Sequence, residues 1–515
     1  QGMKQHVIII GVGLGALFTG AILSKEGFHV TILEKNAMIG GGLQTFLRFG
    51  EHFDTGMHVI GGMQPGGNIW KLCRYLGILD GVKIRNVDDE CTDRLYFAED
   101  KSYYTIAKGR DGFVRSLARS FPDELSNLER YVDAVLDIAD KVDLFNLRPS
   151  TSQMSLFAET NDFLMAADDF IAKYISDERL RSVLAYMNPL YGGRAHETPA
   201  YVHAIISTLY IKGASRFVDD SYHFAQLLSE VITSNGGQVI AGDAVAWINV
   251  VDRKVEYVRT KSGKQYTADY YISDIHPCTL MKLMDEKAFP KSYRERLETI
   301  PNTHSAFALY IKLKPETFPY MNYSEYYMTR YADVWNFSRT DRPWPLGVLM
   351  MTPPNSNQGR YATKALVTAP MPFDMVKQWE NTNVGHRGAE YEAWKTMCGE
   401  LLLNQIEEIH PDFRQCIEAV NTSSPLTIRD YYGVKDGSIC GFAKNCQNIV
   451  LSQLPVVTKI SNLLLTGQNN NLHGFCGVPL TAITTCEAIL GVNYIINKVN
   501  ACLFEYDNNK KMVEK

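Results

Sequence analysis

Three glycine-bearing segments and one acidic residue are the groups in this 515-residue chain whose types and spacing most clearly imply chemistry. The first segment is Gly11-Val12-Gly13-Leu14-Gly15-Ala16. It fits a pattern in which Gly11 permits a tight turn and Gly13 lets the backbone approach a pyrophosphate. Ala16 keeps the following helix close to its strand. The free N–H groups and dipole of that helix start then favour an anion. Glu34 stands 23 positions after Gly11. A carboxylate there accepts hydrogen bonds from ribose hydroxyls and repels a 2′-phosphate, which favours FAD or NAD over NADP.

A second segment, Gly40-Gly41-Gly42-Leu43-Gln44-Thr45, is followed by Phe53-Asp54-Thr55-Gly56-Met57-His58. It reads as a further backbone cradle that lets FAD pass at close range, which an NAD enzyme does not need. The third runs Thr466-Gly467-Gln468-Asn469-Asn470-Asn471-Leu472-His473-Gly474-Phe475-Cys476-Gly477-Val478-Pro479. A strand, a polar glycine-rich loop and a helix start make another dipole site, one suited to facing a flavin carbonyl. No HExxH, P-loop or nucleophile elbow is present. Cys440 and Cys446 are a close pair, but no CxxC suggests a zinc site, so no metal is expected.

These motifs need elements to hold them. Val7 to Ile10 reads as a buried parallel strand, Leu14 to Lys25 as a helix and Phe28 to Leu33 as a second strand. A strand-like Thr45 to Phe49 follows. Helical patterns are predicted over Phe113–Asp143 and Asp162–Tyr186. Asp219, Asp220 and Ser221 can cap a helix running to Ser234, which Asn235-Gly236-Gly237 stops. Short β runs are predicted at Gln238–Ile240, Ala244–Val251, Val255–Thr260 and Tyr266–Ser273, with Ser262-Gly263 as a turn. Asn302 to Pro372 reads as strand and loop, and Tyr391 to Ile409 as a helix. Leu463 to Thr466 reads as a last strand, and Pro479 to Val499 as a closing helix with proline in its first turn.

Composition bounds the class. The chain is 45% hydrophobic, 21% charged and 11% aromatic, which excludes disordered, collagenous and coiled-coil proteins. A net charge of −5 gives no reason to expect nucleic acid or an anionic membrane surface as partner. Ten cysteines are far too few for a disulfide scaffold. Gln1-Gly2 ahead of Met3 reads as the remnant of a cleaved tag, and no signal peptide or spanning run of about 18 apolar residues is evident. A cytoplasmic protein that at most lies on a membrane surface is expected.

The motifs, in this order along nearly the whole chain, resemble those of the FAD-dependent phytoene desaturase, carotenoid isomerase and retinol saturase family. The matching residues are Gly11 to Ala16 with Glu34, Gly40-Gly41…Thr45, and Phe53-Asp54-Thr55-Gly56-Met57-His58. Further along come Ser423-Ser424-Pro425-Leu426-Thr427…Asp436-Gly437-Ser438 and Thr466-Gly467-Gln468…Gly477-Val478. The Phe-Asp-Thr-Gly-Met-His run and the Thr-Gly-Gln start most resemble the retinol saturase and bacterial saturase-like branch. The resemblance implies an α/β fold. A Rossmann-type, glutathione reductase-like FAD-binding domain (3–70, 216–290 and 455–502) would carry an inserted α+β substrate domain (71–215 and 291–454), with 503–515 as a tail. It implies non-covalent FAD and a hydrophobic polyene or isoprenoid whose carbon–carbon double bonds are desaturated, saturated or isomerised. Peripheral membrane contact is expected from such a substrate.

Carried over by motif position, Gly11, Gly13, Leu14, Gly15, Ala16, Glu34 and Lys35 would hold the ADP half. Gly41, Gly42 and Thr45 would lie along the pyrophosphate and ribityl chain, with Val245 beside the adenine. Gly467, Gln468, Gly477 and Val478 would surround the ribityl chain and flavin. Gly42 departs from the family, standing where many members carry Arg, as do Asp219-Asp220, where a glycine pair is usual. Gln468 replaces the acid common in the wider flavin superfamily. His58, His473 and Tyr191 are the candidate catalytic groups, each with a structural role as its competing reading. The aromatic run from Phe318 to Phe337 reads as sheet packing, or else as the wall of an apolar channel. Two other classes fit the architecture: an amine oxidase-like flavoenzyme and a prenyl-binding protein of the Rab GDP-dissociation inhibitor type.

Overall fold

Alternation in one strand explains the two layers of the first half of the fold. In β1 (His6–Ile10), Val7 and Ile9 enter one core while Ile8 and Ile10 enter another. Side chains of a strand point to opposite faces by turns, so a strand apolar at every position must lie between two layers. The computed structural model describes residues 3–11, 13–56, 59–150, 161–449 and 453–502. Within them, β1 leads into α1 (Leu14–Lys25) and β2 (His29–Leu33). Then come α2 (Tyr222–Ser234), β3 (Gln238–Ile240), β4 (Tyr270–Ser273), β5 (Leu463–Leu465) and α3 (Gly474–Leu490).

The five strands form one parallel sheet in the order β3-β2-β1-β4-β5. Helix α1 packs on one face between α2 and α3. Gly20 makes that approach possible, since a Cβ there would stand 3.0 Å from Ile232 and 3.1 Å from Ile32. The opposite face is covered by a three-stranded antiparallel sheet, Val245–Val251, Lys254–Thr260 and Gln265–Tyr266. Val245, Ile248, Val255 and Val258 from it pack with Ile8, Ile10 and Leu33.

A seven-stranded sheet stands beside this unit. Its strands, in order, are Ile417–Ser423, Ser305–Leu313, Lys364–Met371, Gly347–Met351, Ser324–Met328, Asp93–Phe97 and Ser102–Ile106. Helix Ala389–Ile409 covers part of it through Cys398, Leu402 and Ile406. The aromatic run lies largely inside: Tyr326 meets Tyr186 edge-on at 5.0 Å, and Tyr327 lies 5.5 Å from Tyr96.

Four predicted elements are divided. Phe113–Asp143 is two helices, Arg110–Ala118 and Leu125–Asp140, because Pro122 forces a tighter turn between them. Asp162–Tyr186 contains three, Asn161–Leu164, Ala167–Tyr174 and Glu178–Leu184. Asp177 starts the last by accepting from the N–H groups of Arg179 and Leu180. Tyr266–Ser273 splits at Asp269, whose carboxylate takes the His6 N–H at 2.8 Å and moves the chain from one sheet to the other. The closing helix begins five residues before Pro479 and ends at Leu490, where Gly491 adopts φ +111°. Pro479 therefore sits inside it, at the loss of one bond to the Phe475 carbonyl. The chain then turns by 117° into Tyr494–Cys502.

Arg216 ties the sheets together. It lies in Ala214–Phe217, between strands Val59–Gly61 and Ile84–Asn86, and is 1% exposed. Its guanidinium donates to the carbonyls of Met321 (2.7 Å) and Thr352 (3.1 Å), to the Tyr320 hydroxyl (2.8 Å) and to Asn322 Oδ1 (3.3 Å). Substituting Arg216→Met strands these acceptors and should cost about 3 kcal/mol. Urea unfolding would read this as a lower midpoint at unchanged slope; an unchanged midpoint would contradict it.

Candidate functional site

Four strands of the parallel sheet end side by side, and the predicted glycine segments begin there. The backbone of each strand passes straight into the site. Gly11 N–H bonds Leu33 O at 2.8 Å and Glu34 N–H bonds Ile240 O at 2.9 Å. Asp274 N–H bonds Ile10 O, and Thr466 N–H bonds Ser273 O, both at 2.9 Å. Order β3-β2-β1-β4-β5 reverses direction between β1 and β4. In open α/β sheets that switch point, outside the carboxyl ends, is where a ligand sits.

The loops meet there at distances only glycine allows. A Cβ on Gly41 would lie 2.9 Å from the Gly13 Cα, and one on Gly15 would lie 3.1 Å from the Gly467 Cα. Gly11 (φ +92°), Gly41 (φ +54°) and Gly467 (φ +104°) also occupy left-handed backbone that other residues resist. Helix α1 has no side-chain bond from its N-cap residue and no acid in its first turn, and the Ala16 amide there is met by the Asp274 carboxylate at 3.0 Å. This is a cradle for a dinucleotide phosphate. Glu34 is buried beside it, with Asn36 N–H bonding its Oε1 at 2.8 Å. Lys35 extends instead to the Asp430 carbonyl at 2.8 Å.

Gly42 is exposed and its carbonyl accepts the Thr55 hydroxyl at 3.3 Å; Thr45 is buried opposite Asp54 in a hairpin. Val245 is buried against β1 and β2. Gln468 follows Gly467 and is half-buried. Gly477 has a different reason to be small: a Cβ would lie 2.4 Å from the Leu472 Cβ. Val478 is buried with it in α3.

Of the catalytic candidates, the structure brings His473 to the carbonyl of Leu190, the residue before Tyr191. His58 lies outside the described residues. The Tyr191 hydroxyl bonds His203 Nδ1 at 2.8 Å, and Tyr131 bonds His203 Nε2 at 2.6 Å. A wholly buried imidazole between two phenols is thus fully partnered. The His473 Nε2 meets the Leu190 carbonyl, which the Cys440 thiol also reaches at 3.6 Å. Two site features were not anticipated from the sequence. One is His203 itself. The other is Asp274, whose carboxylate receives the Ala16 N–H at 3.0 Å from within the cradle. A lone aspartate after a strand carries no motif, so no sequence signal marks it.

Residues 9–76 match the NAD(P)-binding Rossmann-like domain family. All-trans-retinol 13,14-reductase of Rattus norvegicus is 24% identical, covering 95% of this chain and 86% of that protein. A 4,4'-diapolycopene oxygenase of Methylomonas sp is 22% identical, covering 93% and 96%. These similarities support the phytoene desaturase and retinol saturase family. The same relatives support an oxidoreductase, and the Rossmann-like match suggests a flavin or nucleotide cofactor. The fold recurs in cyclohexylamine oxidase from Brevibacterium oxydans, with a TM-score of 0.58 at 14% identity over 95% of this chain and all of that one.

Two outcomes follow from the site. Gly467→Ala meets both a forbidding φ and the Asp274 carboxylate, 2.5 Å from its new Cβ. It should cost about 1–3 kcal/mol and empty the site of bound cofactor, read by thermal unfolding and absorbance. Burial pushes His203, His276, His304 and His473 each from 6.5 down to about 4. Between those pH values the unfolded chain binds more protons than the folded one. Stability should therefore fall on acidification from pH 6.5 to 4, by up to about 1.4 kcal/mol per unit for each imidazole. Denaturant midpoints across pH 4–8 would show it, and His203→Gln should make the decline shallower.

Proposed function

We propose that this chain is an FAD-dependent oxidoreductase acting on the carbon–carbon double bonds of a hydrophobic polyene or isoprenoid, retinoid- or carotenoid-like. The observation that carries the reading is similarity over nearly the whole chain to proteins named for retinol and diapolycopene chemistry, joined to an intact glycine cradle. FAD supplies the hydride and electron chemistry when bound. The chain's own residues do the rest. The first amides of α1 and the glycines at Gly13, Gly15, Gly41 and Gly467 take the phosphates. Glu34 accepts from a ribose and excludes a 2′-phosphate. In the proposed division, 3–70, 216–290 and 455–502 hold the cofactor, while 71–215 and 291–454 hold the substrate.

Non-covalent attachment is supported by the thiol in the closing motif. Cys476 is buried, receives the Asn68 side-chain amide at 3.4 Å, and is pushed up to about 12 by burial. It is a thiol, not a thiolate, at neutral pH, and a poor nucleophile. Buried, partnered histidines likewise keep the substrate side uncharged, as an apolar ligand requires. Among the described residues no single helix is long and apolar enough to cross a membrane. Access to a lipid-soluble substrate is proposed to come through peripheral contact.

Purified protein should be yellow and release its flavin on acid denaturation, leaving a colourless pellet. Anaerobic incubation of reduced protein with all-trans-retinol or a linear carotene should shift the polyene absorbance as conjugation changes. Turnover of primary amines with no change in any polyene would favour the amine oxidase reading instead.

A further inference from the structure

Asp274 is out of place in a site for phosphates. It follows β4 at the switch point, and its carboxylate lies among three glycines from two loops. A Cβ on Gly13 would stand 2.7 Å from its Oδ2; one on Gly15 or Gly467 would stand 2.6 or 2.5 Å from its Oδ1. Oδ2 accepts the Ala16 N–H at 3.0 Å, and the Gly13 N–H also acts on it. Those amides belong to the start of α1, the part of the helix that binds anions. The charged side chain that faces Asp274 is another acid, Glu34 at the end of β2. From α1 and from the loop after β5 it meets backbone of glycine and alanine. Lys35, the nearest cation in sequence to Glu34, is turned to the Asp430 carbonyl.

A dinucleotide brings two phosphate charges to this place. An ionised Asp274 would face them across a glycine surface without a counter-charge, while a neutral carboxyl could donate to a phosphate oxygen and still accept from Ala16. We propose that Asp274 is a cofactor-binding residue that enters the complex as the neutral acid, so that seating the dinucleotide takes up one proton from solvent. The inference rests on the FAD reading above. Burial, opposed by the Ala16 N–H and reinforced by Glu34, already pushes Asp274 up to about 7. Added phosphate charge raises it further. The carboxyl is then mostly neutral below pH 7 and must be protonated on binding above it.

The test is FAD affinity of the full apoprotein, read by flavin fluorescence quenching from pH 5.5 to 9, for the natural chain, Asp274→Asn and Asp274→Ala. For the natural chain Kd should be level below about pH 6.5 and rise about tenfold per pH unit above about 7. Calorimetry at pH 8 in buffers of different ionisation enthalpy should show uptake of close to one proton. Asp274→Asn, which keeps a donor and an acceptor but carries no charge, should bind with level affinity and exceed the natural chain by tenfold or more at pH 9. Asp274→Ala should be equally level but weaker than Asn, because the donor is lost. A level Kd for the natural chain, or no proton uptake, overturns the proposal. So does an Asn variant with the natural slope. Failure to bind FAD at any pH overturns the FAD reading itself, and is told apart because it affects every pH alike.

Discussion

The structure turns on one steric constraint: backbones from three separate parts of the chain converge at the carboxyl edge of the parallel sheet. Gly13 and Gly15 come from the first segment, Gly41 from the second and Gly467 from the loop after β5, more than 400 residues later. Their separations leave no room for a Cβ. Such convergence works only if the strands beneath are in register, which the β1–β2, β1–β4 and β4–β5 pairings provide. It also works only if α1 can be drawn in close. That depends on Gly20 against Ile232 and Ile32, and on Thr19 and Thr466 sharing a hydrogen bond at 3.1 Å. A cradle made of backbone recognises charge and shape, and leaves the selective work to the few side chains that reach it.

Those side chains divide by polarity. Glu34 and Asp274 stand at the strand ends where ribose and phosphate chemistry belongs. Farther along, the buried titratable groups are held neutral. His203 is spanned by Tyr131 and Tyr191, His276 bonds Asn302, and His473 bonds the Leu190 carbonyl. Burying an imidazolium would be costly, so each ring stays neutral. This arrangement explains why no catalytic dyad was legible. The proposed polyene substrate offers nothing for a charged acid or base to grip, and such a reacting bond needs an apolar, dry surface beside a cofactor.

Much of the cofactor half could be read from the sequence because its signals are local. Gly11 to Ala16, Glu34 and the Thr466-Gly467 turn each combine a strand end with a residue type that the backbone geometry demands. Elements failed where the deciding information was elsewhere. Pro122 broke a helical pattern that looked continuous in hydrophobicity alone. Asp269 ended a strand by bonding His6, a partner more than 250 residues away. Gly477 also has a local reason to be small, since a Cβ there would meet Leu472 five residues earlier in the same motif. Asp274 escaped notice because an aspartate after a strand is ordinary until the fold sets it among glycines.

That last case shows how a cradle acquires selectivity. Glycine-rich loops accept any dinucleotide that presents a pyrophosphate, and the helix dipole makes no distinction among them. A carboxylate at a strand end discriminates by repulsion: in the proposed site Glu34 sets the ribose end against a 2′-phosphate. A second carboxyl within the cradle adds a condition of a different kind, since its charge depends on its surroundings. Two acids facing each other cannot both stay ionised cheaply. Asp274, walled by Gly13, Gly15 and Gly467, is the carboxyl that burial and the nearby Glu34 push upward, toward the neutral acid.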